Sequence, residues 1–202
     1  MLYSNYILPC LIDRAMNTAE LGPLRKTLLS SATGIVAEIG FGSGANLPHY
    51  PDDITKLVAI DNSKPLLKRA KKRLASFRPP FEALYCPAER IKLEKHSVDT
   101  VVCTFTLCSV SGTLGVLEEV RRILRPGGKF LFLEHGLAPD HNVQKWQRRL
   151  TPFQKRLGGG CHLDRNVLGL LADACWDVVE CNRFYVKGIP KISGYITMGQ
   201  AL

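Results

Sequence analysis

The chain has 202 residues, of which 46% are apolar and 22% charged, a size and balance suited to one domain with a full hydrophobic core. No apolar run approaches the roughly 18 residues of a membrane span, and "MLYSNYILPCLIDRAM" at the start shows neither a basic leader nor a small-residue cleavage site, so no secretory signal is expected. Lys and Arg number 27 against 18 Asp and Glu, a net charge of +9, which excludes neither an enzyme nor a protein that meets anionic partners.

Residues 3–30 mix apolar and polar positions, with breaks at Pro9 and Gly22-Pro23, and read as one or two short helices before the first strand. Val36–Ile39 is that strand, and Ala45 onward is expected to open a helix. Leu57–Ile60 is a short apolar strand closed by Asp61. Pro65–Phe77 is helical, with Pro65 suited to the first turn. Phe81–Cys86 and the β-branched "VDTVVCTFT" (98–106) are further strands. Leu114–Leu124 is a helix ended by Pro126-Gly127-Gly128, and "KFLFLE" (129–134) is a fifth strand. The basic stretch 136–166 reads as a loop-rich region on the substrate side. Val167–Cys175 is helical, and residues 176–185 and 195–198 are two more strands. This alternation predicts an α/β fold with a mostly parallel sheet and helices on both faces. Its ligand would sit beyond the carboxyl ends of the strands.

The basic residues concentrate in segments 64–73, 121–125 and 144–156. These read as solvated helix faces or as attraction to phospholipid headgroups or RNA. No basic strand interleaved with aromatics favours RNA, and DNA is not an expected partner. The seven cysteines include no C-x-x-C pair. Cys86, Cys103, Cys108, Cys175 and Cys181 lie in or beside apolar segments, as expected for reduced, mostly buried thiols of a cytoplasmic protein. Without ligand spacing, no metal site is expected.

In "VAEIGFGSGAN", Glu38 precedes Gly40, Gly42 and Gly44, and Asp61 follows Gly40 by 21 positions. Glycines let a ligand approach the backbone, and a carboxylate at the end of the next strand can accept both ribose hydroxyls. Gly40, Gly42 and Ala45 also satisfy the dinucleotide fingerprint, so the loop alone leaves a nicotinamide dehydrogenase open. Glu38 would sit badly with a pyrophosphate and well with a ligand bearing an amine and a sulfonium.

The series "VAEIGFGSGAN", "VAID", "CPAERI", "SVDTVVCTFTLCSV" and "LEEVRRILRPGGKFLFLEH" resembles the motifs of class I S-adenosylmethionine-dependent methyltransferases, over about half the chain. The resemblance implies a Rossmann-like seven-stranded sheet with the last strand antiparallel, in one domain spanning residues 1–202. It implies S-adenosylmethionine as cofactor. Glu38 and the loop Gly40-Phe41-Gly42-Ser43-Gly44 would hold its methionine part and ribose, and Asp61 the ribose hydroxyls, with Asn62 and Ser63 beside it. Ala88 and Glu89 would border the adenine, although Pro87 replaces an aspartate common in relatives. Thr104 and Leu107 would line the methionine end. "TLCSV", "LEHG", the segment Trp146–Pro152, "GGGCHLDR" and "GYITMG" resemble the alkyl-thiol methyltransferases of animals and their bacterial relatives.

A methyltransferase mainly aligns its two reactants, and a dry apolar pocket favours a thiolate meeting a sulfonium. The expected acceptor is small and apolar, a thiol or sulfide; a lipid amine, a quinone, or cofactor binding without catalysis are alternatives. His135 is either a hydrogen-bonded loop histidine or a general base. Cys108 is a buried apolar residue or a reactive thiol. Trp146, Cys161, His162 and Arg165 are candidate substrate contacts, each with a structural alternative: a packing anchor, a buried thiol, a solvated loop and an ion pair with Asp164. The apolar N-terminal segment (Tyr3, Tyr6, Ile7, Leu8, Leu11, Ile12) would pack as a lid over the substrate pocket or touch a membrane surface.

Overall fold

In a computed structural model that describes residues 2–202, seven strands form one sheet. They are β1 (Ile35–Ile39), β2 (Lys56–Asp61), β3 (Phe81–Tyr85), β4 (Val98–Thr104), β5 (Leu124–His135), β6 (Val178–Tyr185) and β7 (Tyr195–Ala201). The sheet order is β3-β2-β1-β4-β5-β7-β6. Strands β1 to β5 are mutually parallel, and β7 runs antiparallel to both β5 and β6. The chain order reverses between β1 and β4, which opens a crevice at their carboxyl ends.

Alternation along the strands sorts the core into two layers. Ala37, Ile39, Val101, Cys103, Phe130 and Phe132 face one side. There they meet Val116, Leu117, Val120 and Ile123 of helix α4 (Thr113–Ile123), spaced for one helical stripe. Val36, Val102, Leu131 and Leu133 face the other side. They pack with Leu28 and Leu29 of α2 (Leu21–Leu29) and Ala70 of α3 (Lys64–Leu74). A period of two therefore places Glu38, Thr104 and His135 on the α2 side and Glu134 on the α4 side.

Four readings of the sequence need correction. No α-helix opens at Ala45; a turn and a 3-10 segment (Leu47–His49) follow, with Pro48 inside the segment and Pro51 two residues after it, so no longer helix can form. The region 136–166 is not mainly loop but carries the 17-residue helix α5 (His141–Leu157). Its buried positions are the polar Gln147 and Thr151, and Pro152 lies within it, so the core-facing apolar period that marks a helix is missing. Strand β5 begins at Leu124, before the Pro-Gly-Gly turn, with a register shift between Val98 and Thr100 opposite it. Cys175 and Cys181 are exposed.

A π-helical turn (Tyr3–Ile7) and α1 (Leu8–Met16) precede α2. The Tyr3 hydroxyl donates to the Leu157 carbonyl, and Asp13 accepts from Arg73 at 3.0 Å and Arg69 at 3.4 Å. These contacts fasten the N-terminal segment to α5 on one side and α3 on the other. No helix among the described residues is long and apolar enough to cross a membrane.

Candidate active site

A cavity of about 960 Å³ lies over the carboxyl ends of β1, β2 and β4. One end is polar. Glu38, Gly40, Phe41, Gly42 and Ser43 line it from the first turn; Asp61, Asn62 and Ser63 line it from the end of β2. Gly40 has φ +73°, and a Cβ there would lie 1.9 Å from Thr106 Oγ1, so only glycine fits between the two loops. Gly42 has φ +59° with no atom closer than 3.8 Å to an added Cβ; its open side is where a ligand can reach the backbone. Gly44 does not line the cavity; a Cβ there would meet Leu47 at 2.6 Å, which makes its role packing. The ring of Phe41 is buried against Phe81.

Asp61 ties the two turns together. One carboxylate oxygen accepts from the Gly42 amide at 2.7 Å and the other from the Ser63 amide at 2.6 Å. Burial raises its pKa, against the pull of these amides. A carboxylate has lone pairs left after two bonds, so Asp61 can still receive hydroxyls. Ala88 and Glu89 line the same end from beyond β3. Glu89 accepts from Ser111 at 3.1 Å and the Gly112 amide at 3.3 Å, joining that loop to the segment before α4.

Glu38 is the centre of a buried network that sequence reasoning did not find. It accepts from Tyr50 at 2.6 Å and Asn46 at 3.0 Å. Arg25, reaching in from α2, donates to Asn46 at 2.5 Å, Thr104 at 3.1 Å and the Met16 carbonyl at 3.2 Å. Burial pushes the Glu38 carboxyl up to about 7, opposed by the Tyr50 hydrogen bond and the Arg25 charge. Arg25 is itself buried, and its Nε has no partner. Glu38, Arg25 and Thr104 all line the cavity.

The turn after β4 is held by Glu134, which the sequence reading passed over in favour of its neighbour His135. The fully buried Glu134 carboxylate accepts from the amides of Thr106 (2.8 Å), Leu107 (3.0 Å) and Cys108 (3.4 Å). This holds the turn behind Phe105, whose φ is +53°. Leu107 was expected to line the methionine end; its side chain instead enters the core on the α4 side.

The other end of the cavity is apolar, with Leu8, Leu11 and Ile12 from the N-terminal segment opposite Phe105 and Val110. Set into it are Cys108, His135 and Cys161, all buried and all lining the cavity. His135 Nε2 lies 3.2 Å from Cys161 Sγ, and the His135 ring stacks at 6.3 Å on Phe105. The hydrogen bond to Cys108 and burial push the Cys161 thiol well above its ordinary range, so it is a thiol and not a resident nucleophile at neutral pH.

Three expected substrate contacts are elsewhere. Trp146 is 56% exposed on α5, under Arg149, and does not line the cavity. His162 binds the Cys108 carbonyl through its amide at 2.8 Å and through Nδ1 at 3.1 Å. Arg165 donates to the carbonyls of Leu107 and Val110. Both brace the β4 turn from behind and stand outside the cavity lining. Asp164 pairs with Thr151 at 3.0 Å, not with Arg165.

Residues 37–132 match the model of a methyltransferase domain, the segment that builds the polar end and the β4 turn. The human thiol S-methyltransferase TMT1B is 37% identical over 161 residues, covering 77% of this chain and 66% of that protein. The chain spans just under two thirds of the human protein and about half, 54%, of its rat counterpart. A phosphatidylethanolamine N-methyltransferase of Cereibacter sphaeroides is 27% identical over 172 residues, 83% of each chain. Among solved structures, an S-adenosylmethionine-dependent methyltransferase of Mesorhizobium loti superposes with a TM-score of 0.67 at 17% identity, over 93% of this chain and all of that one; it shares the fold.

Proposed function

We propose that this chain, which belongs to the class I S-adenosylmethionine-dependent methyltransferases, transfers the cofactor's methyl group to a small apolar thiol. The observation that carries the reading is one continuous cavity with a polar end and an apolar end. Its volume of about 960 Å³ suits a nucleoside cofactor together with a small acceptor.

In this reading Asp61 receives the ribose hydroxyls and Gly42 gives the backbone room the cofactor needs. Glu38 faces the cofactor's ammonium, and the Arg25 guanidinium lies on the side of its carboxylate. Thr104 sits between them. The sulfonium then points toward Phe105, Cys108, His135 and Cys161. The chain's contribution is alignment of acceptor and methyl in an apolar pocket, and alignment can supply roughly 7–11 kcal/mol of a barrier. When sulfur attacks, the new carbon–sulfur bond forms as the methyl–sulfonium bond breaks, and the opposite charges of thiolate and sulfonium cancel, which low polarity favours.

A second reading, methyl transfer to a lipid amine, is favoured by a specific surface. Trp146, Leu150, Phe153 and Leu157 recur along α5 at helical spacing yet are exposed, as are Tyr6, Ile7 and Leu11 beside them. Together with the basic residues of α5, this face suits peripheral contact with a membrane. The cytoplasmic side of a membrane is the compartment this reading proposes.

Release of S-adenosylhomocysteine, read by mass spectrometry, separates the two. Acceptor-dependent release with a short alkyl thiol, rising between pH 7 and pH 9 as a thiol of pKa about 8.5 ionises, supports the first reading. Release only with phosphatidylethanolamine vesicles supports the second. Cofactor binding without release under either condition identifies a binding protein and overturns both.

A further inference from the structure

We propose that Cys108, His135 and Cys161 form a site for a soft divalent cation of the zinc class, with a fourth position open to the acceptor's sulfur. The cation site stands on the three side chains alone; the thiol as fourth ligand rests on the function proposed above.

The ligand atoms of the three residues all lie within 4.8 Å of one another, with His135 Nε2 and Cys161 Sγ 3.2 Å apart. Tetrahedral zinc holds sulfur at about 2.3 Å and nitrogen at about 2.0 Å, which sets its ligands roughly 3.5–3.8 Å apart. The observed spread brackets that spacing, so side-chain adjustment alone closes the site. Two cysteines and a histidine with a vacant position is a donor set of catalytic zinc, whereas structural zinc fills all four positions from the protein. Here the vacant position has a route to the outside, because all three residues line the cavity.

The three residues come from different segments, each held by its own contacts. Glu134 fixes the backbone of Cys108, β7 pairs with His135 at Ile196, and the His162 amide bonds the Cys108 carbonyl next to Cys161. His135 presents Nε2 to Cys161, so that nitrogen would be the ligand atom, while Nδ1 stays buried on the other side of the ring. Two thiolates would neutralise a divalent cation. The sequence spacing concealed this set, since the ligands stand 26 and 27 positions apart.

An alkyl thiol entering the fourth position would lose its proton to solvent. Its sulfur lone pair would then form the carbon–sulfur bond as the cofactor's methyl–sulfonium bond breaks. The neutral thioether is a poorer ligand than the thiolate and leaves.

The test is titration of the reduced, metal-free full chain with Co²⁺, whose thiolate charge-transfer and tetrahedral ligand-field bands report the donor set. One equivalent should bind with both sets of bands and be displaced by Zn²⁺. Cys108→Ser and Cys161→Ser should each weaken binding by more than about tenfold and diminish the charge-transfer band, while Cys181→Ser, exposed on β6, leaves both unchanged. Ethanethiol added without cofactor should shift the bands. Zinc-edge absorption of the wild type, which needs no variant, should show two sulfur ligands and one nitrogen. Absence of charge transfer from the reduced wild type, an unchanged spectrum in Cys161→Ser, or loss of two free thiols to a disulfide without metal uptake would overturn the site. Calorimetry of S-adenosylmethionine on the same sample reads the proposed function separately: metal uptake without cofactor binding keeps the cation site and removes the methyl-transfer role.

Discussion

The two ends of the cavity are built in different ways. The polar end is a hydrogen-bonded network: Glu38, Asn46, Tyr50, Arg25 and Thr104 are all buried and joined by bonds of 2.5–3.1 Å. The apolar end has few polar groups, and two of its walls come from segments outside the strand-helix core, the N-terminal helix and the loop after α5. A fixed network suits a ligand that is always the same, whereas a wall of separate segments can be exchanged without disturbing the sheet. Under the proposed function, cofactor and acceptor specificity would be carried by separable parts of the chain.

The largest effect should come from the group that joins the two ends. Glu134→Ala leaves three amide donors without their acceptor and should lower folding stability by about 3 kcal/mol, read by chemical denaturation. A change under 1 kcal/mol would mean that the β4 turn holds itself.

Next in size is the polar end alone. Asp61→Ala should weaken calorimetric affinity for S-adenosylmethionine by more than about tenfold, or about 1.4 kcal/mol, with thiol binding little affected. Equal losses at both ends would break the separation.

A subtler effect is the pH dependence of cofactor affinity. With its carboxyl raised to about 7, Glu38 is protonated below that pH and must lose the proton to meet a cationic amine. Affinity should therefore rise with pH through about 7 and level off above it, with a proton released on binding below pH 7. Glu38→Gln should flatten the profile, and an unchanged profile would remove Glu38 from the cofactor's contacts.

The smallest effect is expected at Trp146. It lies outside the cavity, so Trp146→Ser should leave kcat/KM for a short alkyl thiol within about twofold. If the lipid reading holds, the same change should weaken vesicle binding.

The legibility of the two ends follows the same division. Glu38, the glycine turn and Asp61 were readable because the fold uses them within two adjoining strand-turn units. Arg25, Asn46 and Tyr50 escaped notice because their meaning depends on where α2 crosses β1, which local pattern does not encode. Glu134 left a signal that went unused: a carboxylate in the apolar run "KFLFLEH" must find buried donors, and alternation assigns it to the face opposite His135. Helix α5 also left a signal, since Trp146, Leu150, Phe153 and Leu157 keep helical spacing, but Pro152 interrupts it and the face it buries is polar. Cys108, His135 and Cys161 each drew notice singly, but their meeting left no signal, because three distant segments come together only in the folded chain.

The most direct test is a crystal structure with S-adenosylhomocysteine bound. The account predicts ribose hydroxyls on Asp61, the amine beside Glu38, and the sulfur directed toward Cys108 and His135. A ligand seated elsewhere, or one whose sulfur points away from the apolar end, would contradict it.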